Sequence, residues 1–475
     1  MRGSLDDFSH RGSLNFTQIV AAFLADPGLP FVQLLSAERI ERIFRKHGNL
    51  FGLNTVYSTA VMVWSFLGQV LRDGKEASCQ SAVSRVLVHQ QRSGGTVPTS
   101  DTGDYCRARA KLSEHALRDL AVEVAEEVEE RAPSAWLWKG RHAKLVDGFT
   151  FTMPDTPANQ AAYPQAHSQK AGVGFPIARA CALLSLASAC VLNLKIGRYA
   201  GKETGECALL RELLDAFAPN DLLVADRHYC SFAMIGLLRI RGVDSCVRMH
   251  QKRHVDFRRG QRLGRYDHRL VWIKPQRPSW MDEATYLALP DELPLREIRY
   301  QIVEPGRRTR ALTVVTTLLD EKMYTKAEIA SLYGFRWNSE LDIRSIKTHL
   351  NLNYVRCKSP EMVRRELWAT LLGYNLIRTT AAAAASLHEL TPRQISFTAT
   401  CQQVLALWMP MLGDAGNTPS KNEARCRQLL RAIARCRVAD RPGRIEPRQI
   451  KRRLQTYKRM QQPRAVLRKQ LLKRK

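Results

Sequence analysis

The sequence predicts an α/β fold in which a mixed β-sheet lies between two helical regions of the chain. Three observations lead to this class. Residues 1–138 lack the period-two alternation of a strand and favour helices. Residues 145–249 follow the order strand, strand, strand, helix, strand, helix, strand, which is typical of an α/β sheet. Residues after about 325 favour helices again.

The first 138 residues are predicted to form a helical domain. Ser113 is a suitable N-cap for its last helix. Residues 93–103 are rich in Gly, Ser and Thr and are predicted to form a loop. Basic residues flank this loop, which leaves two interpretations open, a small DNA-binding unit or a plain scaffold. The predicted helices are residues 16–25, 37–44, 61–71, 80–91 and 113–130, and the basic residues are Arg85, Arg92, Arg107, Arg109 and Lys111.

Residues 139–400 are predicted to form the core domain, which contains the sheet. Its first strand, residues 145–153, alternates apolar and polar side chains. A short buried strand at 222–226 ends in an aspartate. The remaining predicted elements of this half are apolar strands at 178–187 and 190–196, helices at 203–217 and 231–241, and a strand at 244–249.

Residues 250–310 interrupt this order and are predicted to be a β-rich insertion, with strand-like segments around 269–273 and 295–303. The core then resumes with a strand at 310–317 and a long helix at 325–350, broken near Leu332. Helices follow at 361–384 and 392–409. Residues 401–475 are predicted to be a helical, basic region whose proline-punctuated tail orders on a partner. The basic residues of the insertion include Lys252, Arg253, Arg258, Arg259, Arg262 and Arg265.

The charge of the chain indicates a polyanionic partner. The formal net charge is +28, of which residues 421–475 contribute +17, while residues 1–140 are neutral. The segment 49–71 is uncharged but too polar for a lipid-facing helix, so we expect DNA rather than a membrane as the partner. The eleven cysteines form no C-x-x-C pair, and no signal peptide is evident, which favours reduced thiols in the cytoplasm.

Three carboxylates stand where acidic side chains are unusual. Asp147 interrupts an apolar strand face, Asp226 ends an apolar strand, and Glu340 lies within the long helix. Carboxylates at strand ends that face one on a helix are the ligands that a pair of Mg²⁺ ions needs for phosphodiester chemistry. Each residue also has a structural interpretation: a hairpin turn at Asp147-Gly148, a loop position for Asp226, and an ion pair between Glu340 and Arg344.

The helix around Glu340 carries further functional side chains on one face. At about 100° per residue, a continuous helix places them in one sector about 60° wide and puts Asp342 on the opposite side. Arg336 and Lys347 are therefore candidates for gripping phosphate beside the metal ions. The members of this sector are Tyr333, Arg336, Glu340 and Lys347.

Two further candidates lie in the insertion. Trp272 could stack on an extruded base, although a core tryptophan is the commoner interpretation. Arg258 and Arg259 are candidate phosphate contacts in the basic segment. The pair His250-x3-His254 has metal-ligand spacing but no third ligand, so a solvated basic patch is the preferred interpretation.

At these positions the sequence resembles a family. The pattern Tyr333-x2-Arg336-x3-Glu340-x6-Lys347 is similar to the signature of a large group of bacterial insertion-sequence DDE transposases. The surroundings of Asp147 and Asp226 resemble those of the family's first two aspartates, and the basic, proline-punctuated tail is similar as well. The resemblance spans most of the chain.

The resemblance implies an RNase H-like catalytic core with a β-rich insertion. Asp147, Asp226 and Glu340 would bind two Mg²⁺ ions, with Mn²⁺ as a substitute, and Tyr333, Arg336 and Lys347 would contact DNA near the cut. The implied activity is cut-and-paste DNA transposition by a homodimer in a synaptic complex, acting on terminal inverted repeats and target DNA in the bacterial cytoplasm, with the nucleoid. Two alternatives stay open: an RNase H-fold nuclease or resolvase without strand transfer, and a non-enzymatic DNA-binding protein.

Overall fold

The computed structural model of the protein describes residues 35–52, 55–93, 96–302, 311–407, 419–439 and 461–473. These residues form a mixed α/β structure with a nine-stranded sheet. The chain divides into two compact units. The helical unit contains the described parts of residues 1–136, 187–192 and 344–438, and the sheet unit contains those of 137–186, 193–343 and 439–475.

The helical unit is organised around the 28-residue helix Pro360–Leu387, most of whose residues are buried. Ser359 caps this helix by accepting a hydrogen bond from the backbone N–H of Met362. The long helix packs against Glu114–Glu130, which begins at the N-cap Ser113 as expected. Its other helices are Ala37–Lys46, Thr59–Val70, Cys79–Ser93, Gly103–Lys111, Phe397–Leu407 and Pro419–Arg435.

The sheet has the strand order β3-β2-β1-β4-β5-β9-β8-β7-β6. β1 pairs antiparallel with β2 and parallel with β4, which pairs parallel with β5. The antiparallel strand β9 joins β5 to the remaining three strands. The strands are β1 Ala143–Thr152, β2 Ile177–Ser185, β3 Val191–Arg198, β4 Leu222–Ala225, β5 Asp244–Arg248, β6 Gln261–Gly264, β7 Asp267–Ile273, β8 Glu292–Gln301 and β9 Ala311–Thr316.

Helices and short turns connect these strands. The helix Phe232–Ile240 joins β4 to β5, so this pair has the crossover connection that parallel strands require. The carboxyl end of β4 leads into the 3₁₀ turn Arg227–Tyr229. The other helices of the sheet unit are Pro157–Ala162, Glu206–Arg211, Glu283–Ala288, Lys326–Gly334, Trp337–Arg344 and Arg464–Lys473.

The predicted insertion is confirmed as β-rich, but its strands extend the main sheet instead of forming a separate layer. β8 pairs with β9 over six residues, from Arg296–Thr316 to Gln301–Ala311. A buried ion pair links β7 to β8: the Arg296 guanidinium donates to both carboxylate oxygens of Asp267, at 2.8 and 2.6 Å. Because each charge has its partner, the pair satisfies the condition under which buried ions are tolerated.

The sequence predicted every strand of the core order, with ends that differ by a few residues. Two helical features were missed or misplaced. Gly103–Lys111 is a helix, because Tyr105 and Ala108 find a buried environment that its glycine-rich surroundings do not reveal. The break in the long helix, predicted near Leu332, lies a few residues later, at Phe335–Arg336. Pro419–Arg435 is helical, as predicted for this region, and buries Leu429, Ile433 and Ala434.

Some predictions fall on other parts of the chain. The helix at 16–25 and most of the tail lie outside the described residues. The domain boundaries near residues 138 and 400 stay predictions. In the part of the chain that the structure describes, no helix is both long enough and apolar enough to cross a bilayer. The segment around Thr59–Val70 is instead a 12-residue helix whose residues are all buried. The eleven cysteines are free thiols, six of them buried.

A single amide side chain connects the start of β3 to two helices of the helical unit. Asn375 is fully buried, and its Oδ1 accepts a hydrogen bond from the N–H of Val191 at 2.9 Å. Its Nδ2 donates to the carbonyls of Val191 and Ala121, at 2.9 and 2.8 Å. Three buried backbone groups therefore depend on one side chain.

We predict that Asn375→Leu lowers the free energy of unfolding by about 2–4 kcal/mol, since each buried group left without a partner costs about 1–3 kcal/mol. Scanning calorimetry of the full chain measures the change. The control is Thr380→Val. The buried hydroxyl of Thr380 donates a hydrogen bond to the carbonyl of Leu376 in its own helix, so its loss breaks no link between distant segments. An equal loss in both variants would contradict the role given to Asn375.

Candidate active site

Asp147 lies in the middle of β1. It pairs with Ala182 of β2, so the structure excludes a hairpin turn at Asp147-Gly148. Its Oδ1 accepts a hydrogen bond from the N–H of Gly148 at 2.9 Å, and its Oδ2 lies 2.9 Å from the hydroxyl of Ser339. The side chain remains 21% exposed. A carboxylate on a regular strand is held rigidly while one edge of it stays accessible.

Asp226 directly follows β4 and caps the turn Arg227–Tyr229, where its Oδ1 accepts a hydrogen bond from the N–H of Arg227 at 2.7 Å. The register of β1 and β4 pairs Leu145 with Val224. Asp147 and Asp226 each lie two residues beyond these last paired positions of the two parallel strands. The ring Nδ1 of His228 lies 3.7 Å from Asp226 Oδ2.

Glu340 lies in the helix Trp337–Arg344 and forms an ion pair with Arg336, with 2.6 Å between Nη2 and Oε1. The other terminal nitrogen of Arg336 lies 3.7 Å from Asp147 Oδ2. One guanidinium therefore faces two of the three candidate carboxylates. Asp342, by contrast, is 1% exposed, which agrees with its predicted place on the opposite side of the helix.

The remaining two members of the predicted sector differ from the simple helical picture. Tyr333 lies in the last turn of the preceding helix, Lys326–Gly334, and the break at Phe335 separates it from Glu340. It is nevertheless close enough to Asp226, Arg336 and Arg248 for their charges to act on its hydroxyl. Lys347 lies in the π-helical turn Ser345–His349, which belongs to the helical unit. The assumption of one continuous helix was therefore wrong.

Burial and charge shift the pKa values of this group. Burial raises the pKa of Asp147 above its ordinary value, and the nearby Glu340 adds to the rise, although Ser339, Arg336 and the N–H of Gly148 oppose it. Burial alone would lower the pKa of Arg336, but its hydrogen bond to Glu340 and the charges of Tyr333, Glu340 and Asp147 together outweigh burial and raise it. Burial raises the pKa of Tyr333, so its hydroxyl stays protonated at neutral pH.

The donor set fits a hard divalent cation, because Asp147, Asp226 and Glu340 supply carboxylate oxygens. Their arrangement is not a preformed cage: among the described residues, no three acidic, histidine or cysteine side chains converge closely enough to hold a metal ion. The positive charge that balances Asp147 and Glu340 is Arg336. A cation that binds here must therefore compete with this arginine.

Sequence reasoning missed two residues that position Asp147. The hydroxyl of Ser339 lies 2.9 Å from Asp147 Oδ2 and 2.8 Å from the carbonyl of Arg336, so its one proton is shared between them. Glu206 packs against Gly148, where an added Cβ would lie 2.1 Å from its Cδ. Glu206 Oε2 also lies 3.5 Å from the hydroxyl of Tyr229, in the turn after Asp226. Neither contact has a signal in the sequence, since the partners lie far apart along the chain.

The candidates in the insertion lie elsewhere in the sheet unit. Trp272 is 6% exposed, donates a hydrogen bond to Glu297 and has the guanidinium of Arg253 3.6 Å above its ring, so its face is covered in this conformation. Arg258 and Arg259 are highly exposed and both face Asp256, whose pKa falls to about 2 through its hydrogen bonds to Arg258.

We predict that Asp147→Asn stabilises the metal-free protein at neutral pH. The raised pKa of Asp147 means that folding favours its protonated form, so its ionisation costs stability as the pH rises through that pKa. The melting temperature in EDTA should rise at pH 7, and the difference should shrink as the pH falls towards about 4, near the ordinary pKa of aspartate.

The control for this experiment has the opposite sign. Burial opposes ionisation of Asp119 too, but hydrogen bonds from His47, Arg118 and Lys46 outweigh it and lower its pKa. Asp119→Asn should therefore lower the melting temperature at pH 7. A fall in stability for both variants would contradict the raised pKa assigned to Asp147.

Comparisons with known proteins show the family to which the chain belongs. Residues 138–376, half of the chain, match the family model described as "Transposase DDE domain". The transposase InsG for insertion sequence element IS4 of Escherichia coli K12 is 25% identical over 441 residues, covering 91% of this chain and 94% of that protein. The putative transposase InsL for IS186A of the same strain is 34% identical over 64 residues, covering 14% and 17%.

One solved structure is a distant match. A chain of a piggyBac transposase synaptic complex with hairpin DNA has a TM-score of 0.40 at 8% identity, covering 87% of this chain and 85% of that one. A likeness this remote supports no conclusion, whereas the family match spans all three carboxylates. The chain belongs to the DDE transposase family, and it is a DNA transposase.

Proposed function

We propose that Asp147, Asp226 and Glu340 are the metal-binding acids of this transposase, and that it cuts insertion-sequence ends and joins them to target DNA. The observation that carries the proposal is the guanidinium of Arg336 between Asp147 and Glu340, at 3.7 and 2.6 Å. It brings together two acids that are 193 positions apart in the sequence. Membership of the family implies dependence on a divalent metal; that two Mg²⁺ ions bind, with Mn²⁺ as a substitute, is part of the proposal.

The sheet supports an RNase H-like assignment for the core. Five strands in the order β3-β2-β1-β4-β5 have β1 and β4 as a parallel central pair. Asp147 lies on the first of these strands and Asp226 follows the second. Ligands of α/β sheets bind at the carboxyl ends of parallel strands, which is where Asp226 and the helix with Glu340 provide their side chains.

The proposed roles follow from the chemistry of each side chain. The carboxylates would hold divalent ions. When bound, such ions would lower the pKa of the attacking water and supply positive charge that stabilises the phosphate. Arg336 exchanges its carboxylates for a phosphate oxygen of DNA, since a guanidinium binds both anions through the same paired donors. The protonated hydroxyl of Tyr333 donates a hydrogen bond to DNA, and Lys347 adds a further phosphate contact.

The first cut hydrolyses a phosphodiester bond, and the joining step that follows forms one phosphodiester bond as it breaks another. Water attacks the phosphodiester at the element end and leaves a free 3′-OH and a 5′-phosphate. The 3′-OH then attacks a phosphodiester of the opposite strand or of the target, and one new bond replaces one broken bond. Ser339 and Gly148 keep Asp147 in place during these steps through their hydrogen bonds.

The proposed partners are the terminal inverted repeats of the element and its target DNA. Joining two ends in one event requires two active sites, so we propose a homodimer in the synaptic complex, working at the bacterial nucleoid. Arg258 and Arg259 are proposed to contact DNA phosphates from the insertion. Trp272 would stack on a base only after Arg253 leaves its ring face.

We predict that Asp147→Asn, Asp226→Asn or Glu340→Gln each lowers strand cleavage at least a thousandfold, while binding to end DNA survives. The reason is that each variant removes one oxygen charge from the metal site but no basic side chain. Gel assays with labelled end DNA and Mg²⁺ measure cleavage, and anisotropy in EDTA measures binding. Asp342→Asn, which changes a carboxylate on the other side of the same helix, is the control and should still cleave. Normal cleavage by any of the first three variants would refute the site.

The same protein distinguishes transposition from plain nuclease activity. Pre-cut ends with a free 3′-OH, mixed with a supercoiled target plasmid, should give joined products that depend on Asp147, Asp226 and Glu340. Cleavage of intact ends without any joining would favour the nuclease or resolvase alternative.

We also predict that Arg336→Gln raises the affinity of the DNA-free protein for Mn²⁺ at least tenfold. The variant removes the positive charge that competes for Asp147 and Glu340, and a unit charge near 4 Å contributes on the order of 1–4 kcal/mol at protein surfaces. Calorimetric titration or electron paramagnetic resonance of Mn²⁺ measures the affinity.

Arg336→Lys is the matched control, because it keeps the charge and should leave the Mn²⁺ affinity within a few-fold of the unmodified protein. Weaker Mn²⁺ binding by Arg336→Gln would mean that the arginine organises the carboxylates for metal instead of competing with it.

A further inference from the structure

A basic pocket lies beside the proposed active site, at the edge where β4 and β5 end and β9 begins. Its volume is about 340 Å³, within the range of small-ligand sites. Four arginines and two histidines line it, and none of its lining residues is acidic. The basic residues are Arg227, Arg248, Arg253, Arg299, His250 and His254.

The strand register explains how residues far apart in the sequence meet here. Arg248 ends β5 and pairs with Val314 of β9. Arg299 of β8 pairs with Thr313, which precedes Val314 on β9. Arg227 comes from the turn that follows Asp226. The pocket therefore adjoins the second acid of the proposed site without including any of the three carboxylates.

Three of the four arginines of the pocket contact neutral groups. Arg253 lies 3.6 Å above the ring of Trp272, and Arg299 lies 5.1 Å from the ring centre of Phe257 and donates to the hydroxyl of Thr313 at 3.1 Å. Arg227 donates to the amide oxygen of Gln251 at 2.9 Å. Aromatic faces and neutral oxygens fix a guanidinium without cancelling its charge.

Several other arginines of the sheet unit pair with carboxylates. Arg141 pairs with Asp244 at 2.7 Å, Arg296 pairs with Asp267, and Arg241 faces Asp215 at 3.3 Å. Among the described residues, the four pocket arginines form no ion pair with a carboxylate. Four guanidinium groups without such a partner in the described part of the chain therefore line one pocket, which is a favourable environment for an anion.

We propose that this pocket binds phosphodiester groups of the DNA backbone beside the cleaved bond. Guanidinium groups bind phosphate through paired donors, and several together suit a chain of phosphates better than a single carboxylate. Arg248 also lies near Tyr333, so a strand held in the pocket passes next to the proposed catalytic residues. The inference rests on the proposed function for its ligand, and it adds a phosphate clamp outside the signature residues.

The experiment measures DNA binding in EDTA, so it does not depend on cleavage. A short labelled duplex is titrated with full-length protein over a range of KCl concentrations, for the unmodified chain and for Arg253→Gln/Arg299→Gln. The slope of log K against log salt should become shallower by about 0.9 for each lost phosphate contact, and binding near 0.1 M salt should weaken about tenfold per contact. Two duplexes of unrelated sequence should lose the same affinity.

Two control variants distinguish the loss of a phosphate contact from structural damage. Arg253→Lys/Arg299→Lys should keep the slope of the unmodified protein, since it keeps the charge, and Arg241→Gln should leave the slope unchanged because Asp215 already pairs with it. An unchanged slope in the glutamine variant would overturn the proposal. Equal losses in the lysine and glutamine variants would also overturn it, because the effect would then be structural.

Free phosphates provide the last comparison. Titration with inorganic phosphate and with thymidine monophosphate tests whether the pocket serves small molecules. Loss of their binding in the glutamine variant, with DNA binding unaffected, would overturn the assignment to DNA. Absence of cleavage in the unmodified protein would refute the proposed function alone, since the salt dependence is read without metal.

Discussion

The burial of a carboxylate on β1 is the constraint on which the candidate active site depends. Asp147 lies on β1, Asp226 follows the parallel strand β4, and the helix Trp337–Arg344 carries Glu340. Burial raises the pKa of Asp147, and the charge of Glu340 adds to the rise. Arg336 reduces the cost by facing two of the acids, and the hydrogen bonds of Ser339 and Gly148 to Asp147 reduce it further. The DNA-free site is therefore held together by protein groups that also oppose the entry of another cation.

The sequence revealed the parts of this arrangement that depend on local pattern. Strand alternation located β1, a short apolar run located β4, and Asp147 and Asp226 stood out because they interrupt or end those patterns. Helical periodicity grouped Arg336 with Glu340, which form an i,i+4 ion pair. Glu340 was expected to pair with Arg344 under the structural interpretation, but the partner one turn earlier is the one that also reaches Asp147.

The remaining features depend on packing between distant segments, for which a single sequence has no local signal. The break in the helix was predicted near Leu332, but its position at Phe335–Arg336 has no local signal, since residues 325–350 contain no proline. Ser339 is one polar residue among several on its helix until the fold places it 2.9 Å from Asp147. The pocket arginines show the same limit: Arg253 was counted as part of a solvated basic segment, whereas its position above Trp272 depends on how the segment between β5 and β6 packs against β7.

Charge balance distinguishes Arg336 from the four arginines that line the basic pocket of the sheet unit. Arg336 pairs with acids in the absence of DNA, whereas the pocket arginines form no ion pair with a carboxylate of the described residues. The first can serve DNA only by exchanging partners, and the second can bind it at once. If cations at the acids release Arg336 to DNA, thermodynamic linkage requires DNA to strengthen cation binding by the same factor. A DNA strand that first binds the pocket would then attract Arg336 away from the carboxylates. The metal-bound form of the site would therefore be favoured only when DNA is in place. Such coupling would limit cutting to bound DNA without any separate regulatory element.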